Sequence, residues 1–159
     1  AVGSLAGGYL ADRLSGRDMR WQMRVPMIAC VLAVPSSCFL YLAGTQPMVL
    51  GLLILPVMLL HACLGPAYGL TQTLSPVRMR AMAAAMLLIA HNLVGLGLGP
   101  QMVGILSDLL NPAYGDESRR YAMLIFILIF LWAAYHFWRS TRTLRHDLTV
   151  AAELEKTAG

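Results

Sequence analysis

Charge is what this sequence has least of. Only 13% of its 159 residues are charged, 58% are hydrophobic, and the mean hydropathy is +0.64. A soluble domain usually carries about 25% charged residues. The shortfall excludes a disordered chain, which is charge-rich and poor in aliphatics. It also argues against an ordinary soluble domain. Cysteine is scarce as well. Cys30, Cys38 and Cys63 are an odd number without a Cys-x-x-Cys pair. They read as small apolar core residues rather than redox or metal groups. The chain has no basic start followed by a cleavage site, so no secretory signal peptide is predicted.

The few charges present are confined to four zones: Asp12 to Arg24, Arg78 with Arg80, Asp108 to Arg120, and Arg139 to Lys156. Uncharged runs cover 1–11, 25–77, 81–107 and 121–138. A charge at a bilayer centre costs roughly 2.5–3.5 kcal/mol. Water imposes no such penalty, so runs of this length predict a membrane chain. A spanning helix needs about 20 residues. The run over 25–77 suits two spans, broken at Thr45-Gln46-Pro47, because proline disfavours helix in the residue before it. The predicted spans are 25–44, 48–73, 81–106 and 121–138. Residues 1–11 make at most half a span and read as the end of a helix. The chain is therefore expected to be the C-terminal piece of a longer protein.

Alternation of the loops puts Arg13, Arg17, Arg20, Arg24, Arg78, Arg80, Arg139, Arg142, Arg145 and Lys156 on one side. Only Arg119 and Arg120 fall on the other. This asymmetry predicts that the 12–24 loop, the 78–80 loop and the 139–159 tail are cytoplasmic. Net charge +4 is accounted for by topology, so no nucleic-acid partner is expected.

Proline inside the spans (Pro35, Pro56, Pro66, Pro100) predicts kinked helices. Gly3 and Gly7, Gly65 and Gly69, and Gly95 and Gly99 are each four apart, a spacing that flattens a helix face for close approach. His61, Gly65, Tyr68 and Gln72 share one helical face, and Asn92, Gly95 and Gly99 share another. Intramembrane polar groups usually face a bundle interior or a watery cavity. The second and third full spans are thus expected inside, and the first and last against lipid. His61, Tyr68 and Gln72 are candidate cavity-lining residues. Gly65, Gly69, Asn92, Gly95 and Gly99 are candidates for a helix interface. His61 and His91 lack carboxylate or thiolate support, so no metal site, no catalytic residue and no cofactor is expected. The tail beyond 138 is expected to be a frayed, solvated terminus. A short amphipathic helix through Leu144, Leu148 and Ala151 is the alternative.

The stretch Gly8-Tyr9-Leu10-Ala11-Asp12-Arg13-Leu14-Ser15-Gly16-Arg17 resembles the signature loop of the major facilitator superfamily, Gly-x-Leu-Ala-Asp-Arg-x-Gly-Arg-Arg. One extra residue precedes Gly16, and Asp18 replaces the second terminal Arg. Asp12 is suited to accept hydrogen bonds from a helix N-terminus, and Arg13 and Arg17 to pair with it. The resemblance implies an all-α membrane fold, the C-terminal part of a twelve-helix transporter running from the end of helix 8 through helix 12. Gly8, Asp12, Arg13, Gly16 and Arg17 would form a conformational latch. Gly65-Pro66-Ala67-Tyr68, Ser75-Pro76-Val77-Arg78 and Asn92 through Pro100 resemble the spinster-like branch, which includes lysolipid exporters. The implied function is secondary active transport of a small or amphipathic, lysolipid-like solute by alternating access. The implied partners are the lipid bilayer, the N-terminal half of the same polypeptide and that solute. The implied location is the plasma (inner) membrane, with a cytoplasmic C-terminus. A non-transporting membrane scaffold is the alternative.

Overall fold

The computed structural model describes residues 2–158, with side chains for 2–153. Among these the chain is helical almost throughout and contains no strand. The helices are α1 (Val2–Ser15), α2 (Trp21–Leu42), α3 (Gln46–Ala62), α4 (Leu64–Leu74), α5 (Arg80–Ala90), α6 (Gly99–Tyr114), α7 (Ser118–Phe126) and α8 (Leu128–Ala158). A wide π-helical segment, His91–Leu98, joins α5 to α6. Three helical stretches are long and apolar enough to cross a membrane: Trp21–Leu42, Gln46–Leu74 and Val77–Glu153. The protein is an all-α integral membrane chain, and the bilayer is its solvent.

The third stretch does not run straight. Ser107 Oγ lies 3.2 Å from Ser118 Oγ, and the Tyr114 and Tyr121 rings are 4.5 Å apart. Eleven residues of straight helix would separate those serines by about 16 Å. The chain reverses at Gly115, whose φ of +54° is a conformation that L side chains rarely adopt. The Gly115 N–H closes the end of α6 on the Asn111 carbonyl.

The other interruptions follow from proline chemistry. Pro66 has no N–H to give the carbonyl of Ala62, four residues back. The helix breaks there, at Cys63, between α3 and α4. Pro100 likewise leaves the Leu96 carbonyl without its donor. Gly95, Gly97 and Gly99 lower helix propensity in the same stretch. The backbone answers by widening, and the Gly99 N–H bonds the Val94 carbonyl, five residues back. At Thr45 the backbone is extended and Pro47 opens α3, so α2 ends at Leu42.

Packing centres on α2, which touches α1, α3, α4, α7 and α8. It buries Ala29, Cys30, Ala33, Ser37 and Leu40. Helix α8 buries Ala134, Thr141 and Leu144. Without a hydrophobic drive between helices in lipid, small residues of this kind let backbones approach and gain dispersion contacts. The expectation that the first full span lies against lipid is therefore corrected: α2 is the best-packed helix. The third span is the converse case. Neither α5 nor the π segment buries a single residue. A frayed tail is also corrected, since α8 continues without a break to Ala158.

Candidate functional site

At the crossing of α1 over the α3–α4 break, backbones approach to the point where side chains are excluded. A Cβ built on Gly3 would stand 2.5 Å from the Met58 carbonyl oxygen. One on Gly7 would stand 2.5 Å from Ala62 Cα and collide with the Ala62 carbonyl. One on Gly65 would meet the Ser4 carbonyl oxygen at 3.0 Å and Gly8 Cα at 3.1 Å. Only hydrogen fits at Gly3 and Gly7, and at Gly65 a methyl group would need its neighbours to give by a few tenths of an ångström. The carbonyl that Pro66 releases is the one Gly7 sits on, so kink and crossing are one feature. It brings Gly8 of the signature-like stretch and Gly65 of the candidate interface together. Gly69 has nothing within 4 Å of such a Cβ.

The loop after α1 has an acid at its centre, and that acid is Asp18. Its Oδ1 accepts the Arg20 backbone N–H at 3.0 Å and the Arg145 guanidinium at 3.2 Å. Arg24 stands 4.0 Å from its other oxygen. The Arg20 N–H holds the Asp18 carboxyl below its ordinary value; loss of water opposes it, and the Arg145 and Arg24 guanidiniums add to the lowering. Asp12 is exposed, and its carboxylate takes no partner among the described residues. Arg13 donates to the Tyr9 hydroxyl at 3.4 Å instead. Gly16 and Arg17 form the exposed turn, closed by the Arg17 N–H on the Leu14 carbonyl at 3.0 Å. The pairing expected of Asp12 is thus made by Asp18, the position where the sequence departs from the family signature.

Arg145 belongs to α8, 127 residues further along the chain. Thr141 and Leu144 are buried on the same helix, while Leu148 and Ala151 are half-buried. Their 3–4–3 spacing makes one face, and that face docks the tail beside the loop. Between them lies an open cavity of about 560 Å³ lined by Gly16, Arg17, Asp18, Arg145, Leu148 and Thr149. Arg142 stacks on the Trp138 ring at 3.9 Å, anchoring the helix where it leaves the apolar zone. Sequence reasoning missed Asp18 and Arg145. The only signal was an acid standing where the signature has a base.

The polar candidates are spread along two helices. His61 is exposed, its Nδ1 2.8 Å from the Val57 carbonyl, and its Cβ would lie 3.1 Å from a Cβ on Gly3. It therefore borders the α1 crossing. Tyr68 is half-buried and Gln72 exposed, one and two turns beyond Gly65. Asn92 donates to the Leu88 carbonyl at 2.8 Å within its own helix. Gly95 and Gly99 line an open cavity of about 610 Å³ with Pro100, Ser107, Asp108 and Arg119. The Asn92 stripe and the His61 stripe lie on separate helical segments, joined through the packing of α4 on α5. Among the described residues, His, Cys, Asp and Glu side chains do not gather there in a group of three or more.

No family profile matches the chain, and no solved structure matches it. Over 148 residues it is 29% identical to an MFS-type efflux pump of Mycolicibacterium smegmatis. That alignment covers 92% of this chain and 34% of the relative, so the chain spans about a third of the relative's length. Together with the all-α membrane fold and the Gly8–Arg17 stretch, this similarity supports membership of the major facilitator superfamily.

Proposed function

We propose that this chain is part of a secondary transporter that exports a small or amphipathic, lysolipid-like solute by alternating access. The observation that carries the reading is the similarity to an efflux pump over nearly the whole chain. The unpacked, polar third span supports it. A helix that exposes His91, Asn92 and Gln101 in a membrane chain is built to meet another surface or a watery path. Its π segment supplies a place where the helix can change pitch.

In this reading the four passes are 25–44, 48–73, 81–106 and 121–138, matching helices 9 to 12 of the spinster-like branch. His61, Tyr68 and Gln72 line the path. Asn92, Gly95 and Gly99 glide on the N-terminal half, while Gly65 packs against α1 and Gly69 continues the small-residue face beside it. Gly8, Asp12, Arg13, Gly16 and Arg17 act as the latch on the cytoplasmic face of the plasma membrane. The carboxylate-free spans, with their few neutral polar groups, suit an amphipathic solute better than a sugar or a multiply charged acid.

The test is an export assay with the full-length protein in vesicles, offering lysophospholipids beside sugars and organic acids. Lysophospholipid movement that exceeds protein-free vesicles is the expected result. Movement of a sugar with no effect on the lipid rejects the substrate class.

A further inference from the structure

Two of the three thiols have found each other across the helices. Cys30 Sγ on α2 lies 3.7 Å from Cys63 Sγ at the α3–α4 break. Both are free. Nothing in a transport cycle requires the pair. The break places Cys63 there: Pro66 ends α3, and the Cys63 thiol then reaches back to the carbonyls of Leu59 at 3.7 Å and Pro26 at 3.6 Å. Cys30 is 4% exposed, while Cys63 is only half-buried. Cys38, two turns further along α2, bonds to neither.

We propose that Cys30 and Cys63 form an oxidation site within the membrane, closing to a disulfide when a lipid-soluble hydroperoxide reaches Cys63. The location decides the oxidant class. Cys30 lies about 14 Å along α2 from its first residue, Trp21, within a helix apolar enough to span a membrane, where a lipid-soluble peroxide concentrates and the charged tripeptide glutathione does not. From 3.7 Å, the sulfurs must close by about 1.7 Å to bonding distance.

The chemistry balances without a further reactant. Cys63 sulfur attacks the distal peroxide oxygen, the O–O bond breaks, and a sulfenic acid forms. The Cys63 thiol proton leaves with the alkoxide as an alcohol. Cys30 sulfur then attacks the sulfenic sulfur, the S–O bond breaks, and the Cys30 proton leaves with hydroxide as water. The two thiols lose two electrons, and the peroxide is reduced by two. The product pins the joint between α3 and α4 to α2, so bending at Cys63 stops.

The experiment uses the full-length protein in membrane vesicles treated with cumene hydroperoxide, then digestion and mass spectrometry. The expected product is a Cys30–Cys63 linked peptide at about tenfold the level of any link to Cys38, because proximity sets the effective concentration. In Cys30→Ala, dimedone should instead trap a sulfenic acid on Cys63. The proposal is overturned if Cys63 stays reduced, if it oxidises in the wild type without linking, or if Cys38 links as often. None of these readouts depends on which solute is carried, so they stand or fall apart from the transport reading.

Discussion

The α1 crossing and the π segment carry the same small-residue spacing and meet opposite fates. Gly3, Gly7 and Gly65 are pressed against backbone, with no room for a methyl group at Gly3 or Gly7. Gly95 and Gly99 would place a Cβ no nearer than 3.8 Å to any atom, and those atoms belong to their own helical stretch. Four-residue glycine spacing therefore marks a face able to pack, and a neighbour within the chain decides whether it does. Gly7→Ala should break the packed case. With the Ala62 carbonyl in the way, the two helices must separate, at a cost of about 1–3 kcal/mol. The measurement is detergent thermal stability of the full-length protein, and an unchanged melting temperature would refute the crossing.

Gly95→Ala sharpens the comparison from the other side. Its Cβ meets only His91 Nδ1, at an ordinary contact distance of 3.9 Å, and alanine is favoured over glycine in a helix by up to about 1 kcal/mol. Stability should hold or rise. If Asn92, Gly95 and Gly99 glide on another surface, export should nevertheless fall several-fold. Full export with raised stability would leave the packed region intact and remove the gliding role. Thermal stability and transport measured on one preparation separate the two outcomes.

Most of the fold could be read from the charge zones, because excluding charge from lipid is a large, local and additive effect. The missing N–H at Pro66 and Pro100 was legible for a similar reason, as a property of one residue, but the same signal at Pro35 and Pro56 lies inside unbroken helices, so it did not by itself place the interruptions. Packing order was not. Polarity placed α2 against lipid, yet Ala29, Ala33 and Ser37 make it the centre, because close approach rewards small side chains whatever their polarity. Contacts over long sequence separation were illegible too. Nothing near Cys30 announces Cys63, and nothing near Asp18 announces Arg145. Asp18 differs in that its departure from the signature was visible, although its partner was not.

Asp12 and Asp18 give a third contrast within one loop. Asp12→Asn in the full-length protein should lower transport with expression unchanged if the exposed carboxylate latches onto a part of the protein outside this chain. Asp18→Asn should instead loosen the tail, because Asp18 already has its partners on hand. Equal transport by wild type and Asp12→Asn would remove Asp12 from the latch.

The smallest effect is expected at Arg145. Its side chain is 62% exposed, and a solvent-screened ion pair of that kind contributes little to stability. Arg145→Ala should barely move the melting temperature, because Thr141 and Leu144 still bury their side of α8. Its signature lies in pH and salt. The Asp18 carboxyl is held below its usual range in the folded protein. It therefore contributes to docking above the unfolded value, and the contribution is lost as pH falls through the folded one. A fluorophore on Thr149→Cys, with the native cysteines replaced, should report a docked tail at neutral pH. Acidification below the usual carboxylate range, or salt near 1 M, where the Debye length shrinks to about 3 Å, should loosen the tail end around residue 149 while the Thr141 and Leu144 face stays docked. In Arg145→Ala both the salt and the acid response of the tail should flatten, because Arg20 and Arg24 hold Asp18 from the loop and α2 rather than from α8. A tail that responds to salt equally with and without Arg145 is held by its apolar face alone, and the ion pair then sets only its register on the loop.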